Sequence, residues 1–170
     1  MEKRGQIWVE TVVYTLIGLA IIAMLVAVAK PKINQMTEKA VITQTMESLN
    51  TLNEQIFDTI TASGNQREIT LLIKKGEYFI DSPNDNIYFI LRDSSYKYSQ
   101  PNISFKQGDI YVLTHDKGNK EYDIYLMLNY SSFNITYFNK DVNKTLTSAP
   151  SAYTLLVQNL GNKQINLETI

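Results

Sequence analysis

Residues 11–29, TVVYTLIGLAIIAMLVAVA, carry no charge. As a helix rising 1.5 Å per residue, this run is about 28 Å long, close to the roughly 30 Å hydrocarbon core of a bilayer. The pattern predicts a membrane-spanning helix. At Lys30-Pro31-Lys32 a helical hydrogen bond is lost and helix geometry is disfavoured at Lys30, which predicts a kink or brief break. Ile33, Met36, Ala40, Val41, Met46, Leu49, Leu52, Ile56 and Ile60 then recur mostly at steps of three and four. Lys32, Glu38, Lys39, Glu47, Asn50 and Glu54 lie between them, so the helix resumes as an amphipathic one with these polar residues on its solvent face. The stretch 61–65 ends it, with Gly64 at the C′ position. From 6 to 62 the helical span is about 85 Å.

The period changes at Arg67. ITLLIKK (69–75) reads as a strand, and EYFID (77–81), after Gly76, as its hairpin partner. Asp81 to Asn86 is dense in turn residues. Further strands are predicted at 87–92, 103–105, 109–115, 122–130, 133–139, 152–159 and 164–170, with the Ser/Thr-rich stretch 145–151 as a loop. Short strands separated by Gly-, Asn- and Pro-bearing turns predict an antiparallel β-sandwich or barrel. The fold class is therefore α+β: a long N-terminal helix, apolar then amphipathic, followed by a β-rich domain.

Composition narrows the chemistry. With 16 Lys and Arg against 17 Asp and Glu, there is no basic surplus to hold nucleic acid. The absence of Cys excludes disulfides, thiol nucleophiles and Cys-ligated metals, and the single histidine, His115, excludes a multi-histidine site. Asp81, Asn84, Asp85 and Asn86 have oxygens suited to Ca²⁺, but lack the spacing and closing Glu of a calcium loop, so a plain turn is the reading. His115 ends a predicted strand with no nucleophile beside it. No catalysis and no cofactor are expected. Four N-x-[ST] sequons lie in the β-rich part, at Asn102, Asn129, Asn134 and Asn143, and are candidate glycan sites. Asn102 and Asn143 look loop-borne and so the better acceptors.

Glu10 stands at the leading edge of the apolar run, where an ionised carboxylate costs several kcal/mol, about 3 on insertion scales, unless paired. Lys3 and Arg4 precede it, and Gly5-Gln6 forms a small-residue junction. Together, MEKRG-QIWVE-TVVYTLIGLAII resembles the class III signal and first helix of a type IV pilin, of the archaeal kind. The resemblance covers about 25 residues. It implies a leader 1–5 cut between Gly5 and Gln6 by a membrane-embedded prepilin peptidase. Glu10 then becomes the fifth mature residue, where the family carries its characteristic Glu, and it meets the new amine of a neighbouring subunit. Segment 6–29 becomes a membrane and then filament-core helix, 30–62 its amphipathic continuation, and 63–170 an extracellular β-rich domain. The implied partners are other copies in a homopolymeric or mixed filament, the assembly machinery, and the membrane before assembly. N-glycosylation of the domain and a role in adhesion are implied too.

Two other readings stand beside this one. A single-span surface protein has the same elements, binds a partner through its β-domain and does not polymerise. Cleavage after Ala27-x-Ala29 yields an ordinary secreted domain.

Overall fold

A computed structural model describes the backbone from Lys3 to Ile170 and the side chains from Trp8 onward. One helix, α1 (Lys3–Ile60), precedes ten strands among the described residues: β1 (Gln66–Leu71), β2 (Glu77–Asp81), β3 (Asn86–Ser94), β4 (Phe105–Gln107), β5 (Ile110–Gly118), β6 (Glu121–Asn129), β7 (Asn134–Tyr137), β8 (Asn143–Thr147), β9 (Tyr153–Gly161) and β10 (Gln164–Thr169). This is an α+β fold with a C-terminal β-sandwich. Helix α1 continues without a break through Pro31, where the sequence predicts a kink or break. Proline removes only the bond to the Ala27 carbonyl, and the residues around it sustain the helix.

The chain divides into two compact units, residues 1–37 and Glu38–Ile170. In the second, α1 buries Ile42, Met46, Leu49, Leu52 and Ile56, which recur at helical steps along one face. They share one hydrophobic core with both sheets, including Leu71, Ile80, Phe89, Leu126, Val157 and Ile165. Each such side chain stabilises the fold by about 1.5–3 kcal/mol relative to exposure. The buried face differs from the expected one at its start. Ile33, Met36 and Ala40 are exposed, while Glu38 is buried instead of lying on the solvent face. Its partners, described below, make that burial tolerable.

The six-stranded sheet is antiparallel in the order β4-β5-β6-β3-β2-β8. The four-stranded sheet is β1-β9-β10-β7, antiparallel except for the parallel β7–β10 pair. Two hairpins turn through paired positive-φ residues, Asn119-Lys120 and Asn162-Lys163, as two-residue turns between right-twisted strands require.

Two sequence expectations fail here. The first strand is 66–71, not 69–75, and it pairs with β9 in the other sheet; β2 pairs with β3 and β8 instead. Between β1 and β2 the backbone turns at Gly76, with φ +88°. A Cβ there would sit 2.3 Å from Phe89 Cζ and 2.8 Å from the Ile90 carbonyl oxygen. The apolar run 69–73 therefore leads out of one sheet toward the other. The second failure is the loop expected at 145–151, because β8 occupies 143–147 and pairs with β2. One buried residue, Leu146, opposite Tyr78, anchors that strand, and Thr145 and Thr147 suit its extended backbone.

Three polar ties hold α1 to the sheets within the second unit. The Glu38 carboxylate accepts from Lys75 Nζ (2.6 Å), the Ser95 amide (2.9 Å), Ser95 Oγ (2.9 Å) and Ser94 Oγ (3.2 Å). Asn53 donates to Asp109 Oδ2 (3.1 Å) and accepts from the buried Tyr130 hydroxyl (2.9 Å). At the helix end, Asn159 Nδ2 donates to the carbonyls of Thr59, Ile60 and Ala62. Those carbonyls have no partner inside the helix, so a side chain from β9 supplies one.

Candidate functional site

The first unit offers one chemical feature. Its apolar stretch turns no face inward: Leu16, Ile17, Leu19, Ile21, Ile22, Met24 and Leu25 are all exposed within the chain. A helix apolar around its whole circumference needs lipid or other helices to cover it. It is long and apolar enough to cross a membrane. Helical backbone bonds leave no unsatisfied amide along such a span. Thr15 Oγ1 donates to the Thr11 carbonyl at 2.9 Å, which hides its hydroxyl in the same way.

Glu10 lies in the helix, exposed, just before this stretch. Its carboxylate has no salt-bridge partner among the described residues. Gly5 and Gln6 fall within the helical backbone, but their side chains lie outside the described residues, as do Met1 and Glu2 altogether. The site is thus an apolar cylinder with one carboxylate at its leading edge. It can dissolve in lipid, pack on other apolar helices, and hold one cation where the carboxylate is desolvated.

The sequons sit apart from this feature and differ among themselves. Asn102 is exposed in a turn at φ +58°; its Oδ1 accepts from the Asp116 amide (3.3 Å) and lies 3.0 Å from His115 Nδ1. Asn143 is exposed too, but opens the edge strand β8 instead of a loop. Asn134 opens β7 and is exposed. Asn129 ends β6, and its Nδ2 donates to Asn86 Oδ1 at 2.8 Å. No family model, no curated protein and no solved structure matches the chain.

The remaining candidates resolve into structure. Ser82–Asn84 forms a short 3₁₀ turn. Asn84 Nδ2 faces both Asp81 oxygens at 3.0 Å, and Asp85 Oδ1 accepts from the Ile135 amide. Those oxygens are committed to the turn and to β7. Among the described residues, no three His, Asp or Glu side chains gather where a metal would be held.

Sequence reading missed a second feature, a groove on the outer face of the six-stranded sheet. Tyr88, Tyr111 and Tyr125 border it, with Ile90, Leu113 and Met127 between them. The signal was available: IYFILR and YDIYLML are apolar at both phases of the strand period, so both faces carry apolar side chains.

Proposed function

We propose that this chain is a structural subunit of a type IV pilus-like surface filament, used for adhesion or cell-surface contact. The precursor sits in the membrane with its basic leader in the cytoplasm. A prepilin peptidase cuts between Gly5 and Gln6, and the assembly machinery draws the helix from lipid into a bundle of identical or mixed subunits. Helix-to-lipid contact is exchanged for helix-to-helix contact, which the small residues Gly18, Ala20, Ala23, Ala27 and Ala29 allow at close range. Glu10 pairs with the amine that cleavage creates at Gln6 of a neighbour. Two charges that are each costly in an apolar core offset one another, and the pairing fixes the register of the stagger.

The observation that carries this reading is the fully exposed apolar helix with a lone carboxylate at its head, on a chain whose remaining residues form a domain with its own core. A plain anchor does not require a carboxylate at the leading edge of its apolar run. The ties at Glu38, Asn53 and Asn159 fit the same role, since tension applied along a filament-core helix must pass into the domain it carries.

The test is a Glu10→Ala chain expressed in its own cells. The subunit is expected to be cleaved and to accumulate in the membrane fraction, with no filaments by electron microscopy. Glu10→Asp retains the charge and partly restores them. Normal filaments from Glu10→Ala would refute the role given to Glu10, and no filaments from the unaltered chain would leave the non-polymerising single-span surface protein as the better account.

A further inference from the structure

The two outer faces of the sandwich differ in kind. The four-stranded sheet shows Glu68, Thr70, Gln158 and Glu168 outward, and its buried Asn166 is satisfied by Gln158, Glu168, Thr136 and the Asn139 amide. The six-stranded sheet is aromatic at its centre. Tyr88, Tyr125 and Tyr111 come from the neighbouring strands β3, β6 and β5, with Met127 opposite both Tyr88 and Tyr111 and with Ile90 and Leu113 opposite Tyr125. They enclose a shallow groove of about 450 Å³ with an apolar floor.

Three tyrosine hydroxyls in this groove are uncommitted. Elsewhere in the second unit the tyrosine hydroxyls of Tyr130, Tyr137, Tyr153 and Tyr98 bond to the protein. Those of Tyr88, Tyr111 and Tyr125 have no hydrogen-bond partner among the described residues. Two cations stand beside the groove. Arg92 reaches Glu77 only at 3.5 Å and is half exposed. Lys106 reaches Asp109 only at 3.6 Å, is half exposed, and lies 5.5 Å over the Tyr111 ring. The Ser104 hydroxyl completes the lining.

We propose that this face binds an acidic polysaccharide of the uronic-acid class. The C–H face of a pyranose ring is apolar and stacks on a tyrosine ring, while its rim of hydroxyls needs donors and acceptors of the kind the free tyrosine hydroxyls and Ser104 present. The sugar carboxylate matches Arg92 and Lys106, whose long ion pairs hold them weakly and leave them open to a better partner. The site is built on β-strands, so its rings are held in place before a ligand arrives. The inference deepens the adhesion half of the filament reading. It rests on this face alone, so sugar binding by a chain that fails to polymerise refutes only the filament.

The test is calorimetric titration of tetragalacturonate, and of neutral maltotetraose, into the full chain in detergent micelles. The acidic tetrasaccharide is expected to bind, and the neutral one much more weakly. Tyr125→Ala and Tyr111→Ala should each weaken acidic binding at least about tenfold. Arg92→Gln should lower the affinity for tetragalacturonate and leave that for maltotetraose unchanged. Tyr125→Phe keeps the ring and the fold while removing one hydroxyl, and is expected to bind at intermediate strength. No binding, equal affinity for both sugars, or binding indifferent to these variants would overturn the proposal. So would self-association of the chain that Tyr125→Ser abolishes and tetragalacturonate leaves intact, since the occupant is then a second copy.

Discussion

The Lys75 ammonium meets the Glu38 carboxylate at 2.6 Å, at the first residue of the second compact unit. Burial alone pushes the Glu38 carboxyl up, but the bonds from Lys75, Ser95 and Ser94 outweigh it and hold the group below the usual glutamate value of 4.5. A carboxylate depressed in the folded state stabilises the fold above its unfolded value, and that contribution disappears as pH falls through the folded one. Glu38→Ala should cost about 2–3 kcal/mol, because it removes the hydrogen bonds from Lys75, Ser94 and Ser95 that converge on one carboxylate. Lys75→Ala should cost less, about 1 kcal/mol, since Lys75 is half exposed and gives up a partly hydrated pair. Thermal unfolding of the full chain in micelles, scanned below pH 5, checks this. The acid limb of the stability curve should flatten in Glu38→Gln, and an unchanged limb would contradict the assignment.

Asn159 predicts a second effect. Its amide nitrogen lies 3.2, 3.3 and 3.0 Å from the carbonyl oxygens of Thr59, Ile60 and Ala62, and its Oδ1 accepts from the Gly161 amide. Asn159→Ala should lower stability by about 2 kcal/mol by removing the donor to the Thr59 and Ile60 carbonyls, since the Ala62 carbonyl keeps the Asn65 amide. Asn159→Asp should be at least as harmful, because it points an anion at three carbonyl oxygens and at the negative end of the helix dipole. Circular dichroism melts of the two variants decide the order.

Two glycines with nearly the same backbone angle should respond differently. Gly64 has φ +87° and open space where a Cβ would go, so Gly64→Ala costs only the left-handed conformation, about 1–2 kcal/mol. Gly76 has φ +88° and would place its Cβ 2.3 Å from Phe89 Cζ. Gly76→Ala should cost about 3 kcal/mol or more, since backbone and core must both shift. Equal melting temperatures for the two variants would contradict the turn that separates β1 from β2.

Glycopeptide mass spectrometry on native material should find the sequons unequal. Asn102 offers a free Nδ2 on an exposed turn, and its modification is expected. Asn129 spends its Nδ2 on Asn86 and is expected to remain bare. Occupancy of Asn129 without Asn102 would reverse this ranking.

The long helix and the β-rich domain were legible in the sequence because each rests on a local period. The apolar run needs only composition, and the strands need only alternation between turns. What was not legible depends on distant partners. Glu38 reads as a solvent-face residue until Ser94, Ser95 and Lys75 are brought to it from the end of β3 and from the β1–β2 connection. Asn53 and Asn159 look like ordinary polar positions on a helix and a strand, and only tertiary contact gives them Tyr130 and the helix end. The wrong partner for β1 has the same origin, since short sequence separation favours β2 while the shared core with Leu155 and Val157 favours β9. Of the candidate site, Glu10 and the apolar stretch were found from charge and hydropathy alone. The tyrosine groove was not, because it is assembled across three strands.

The central claim is that the leader is removed so that the chain can polymerise. Intact-mass and terminal-peptide mass spectrometry of protein from its native cells tests it most directly. A mature chain beginning at Gln6, five residues shorter than the 170-residue sequence, is the predicted result. A chain that retains Met1 to Gly5, or one that starts near Lys30, would contradict it.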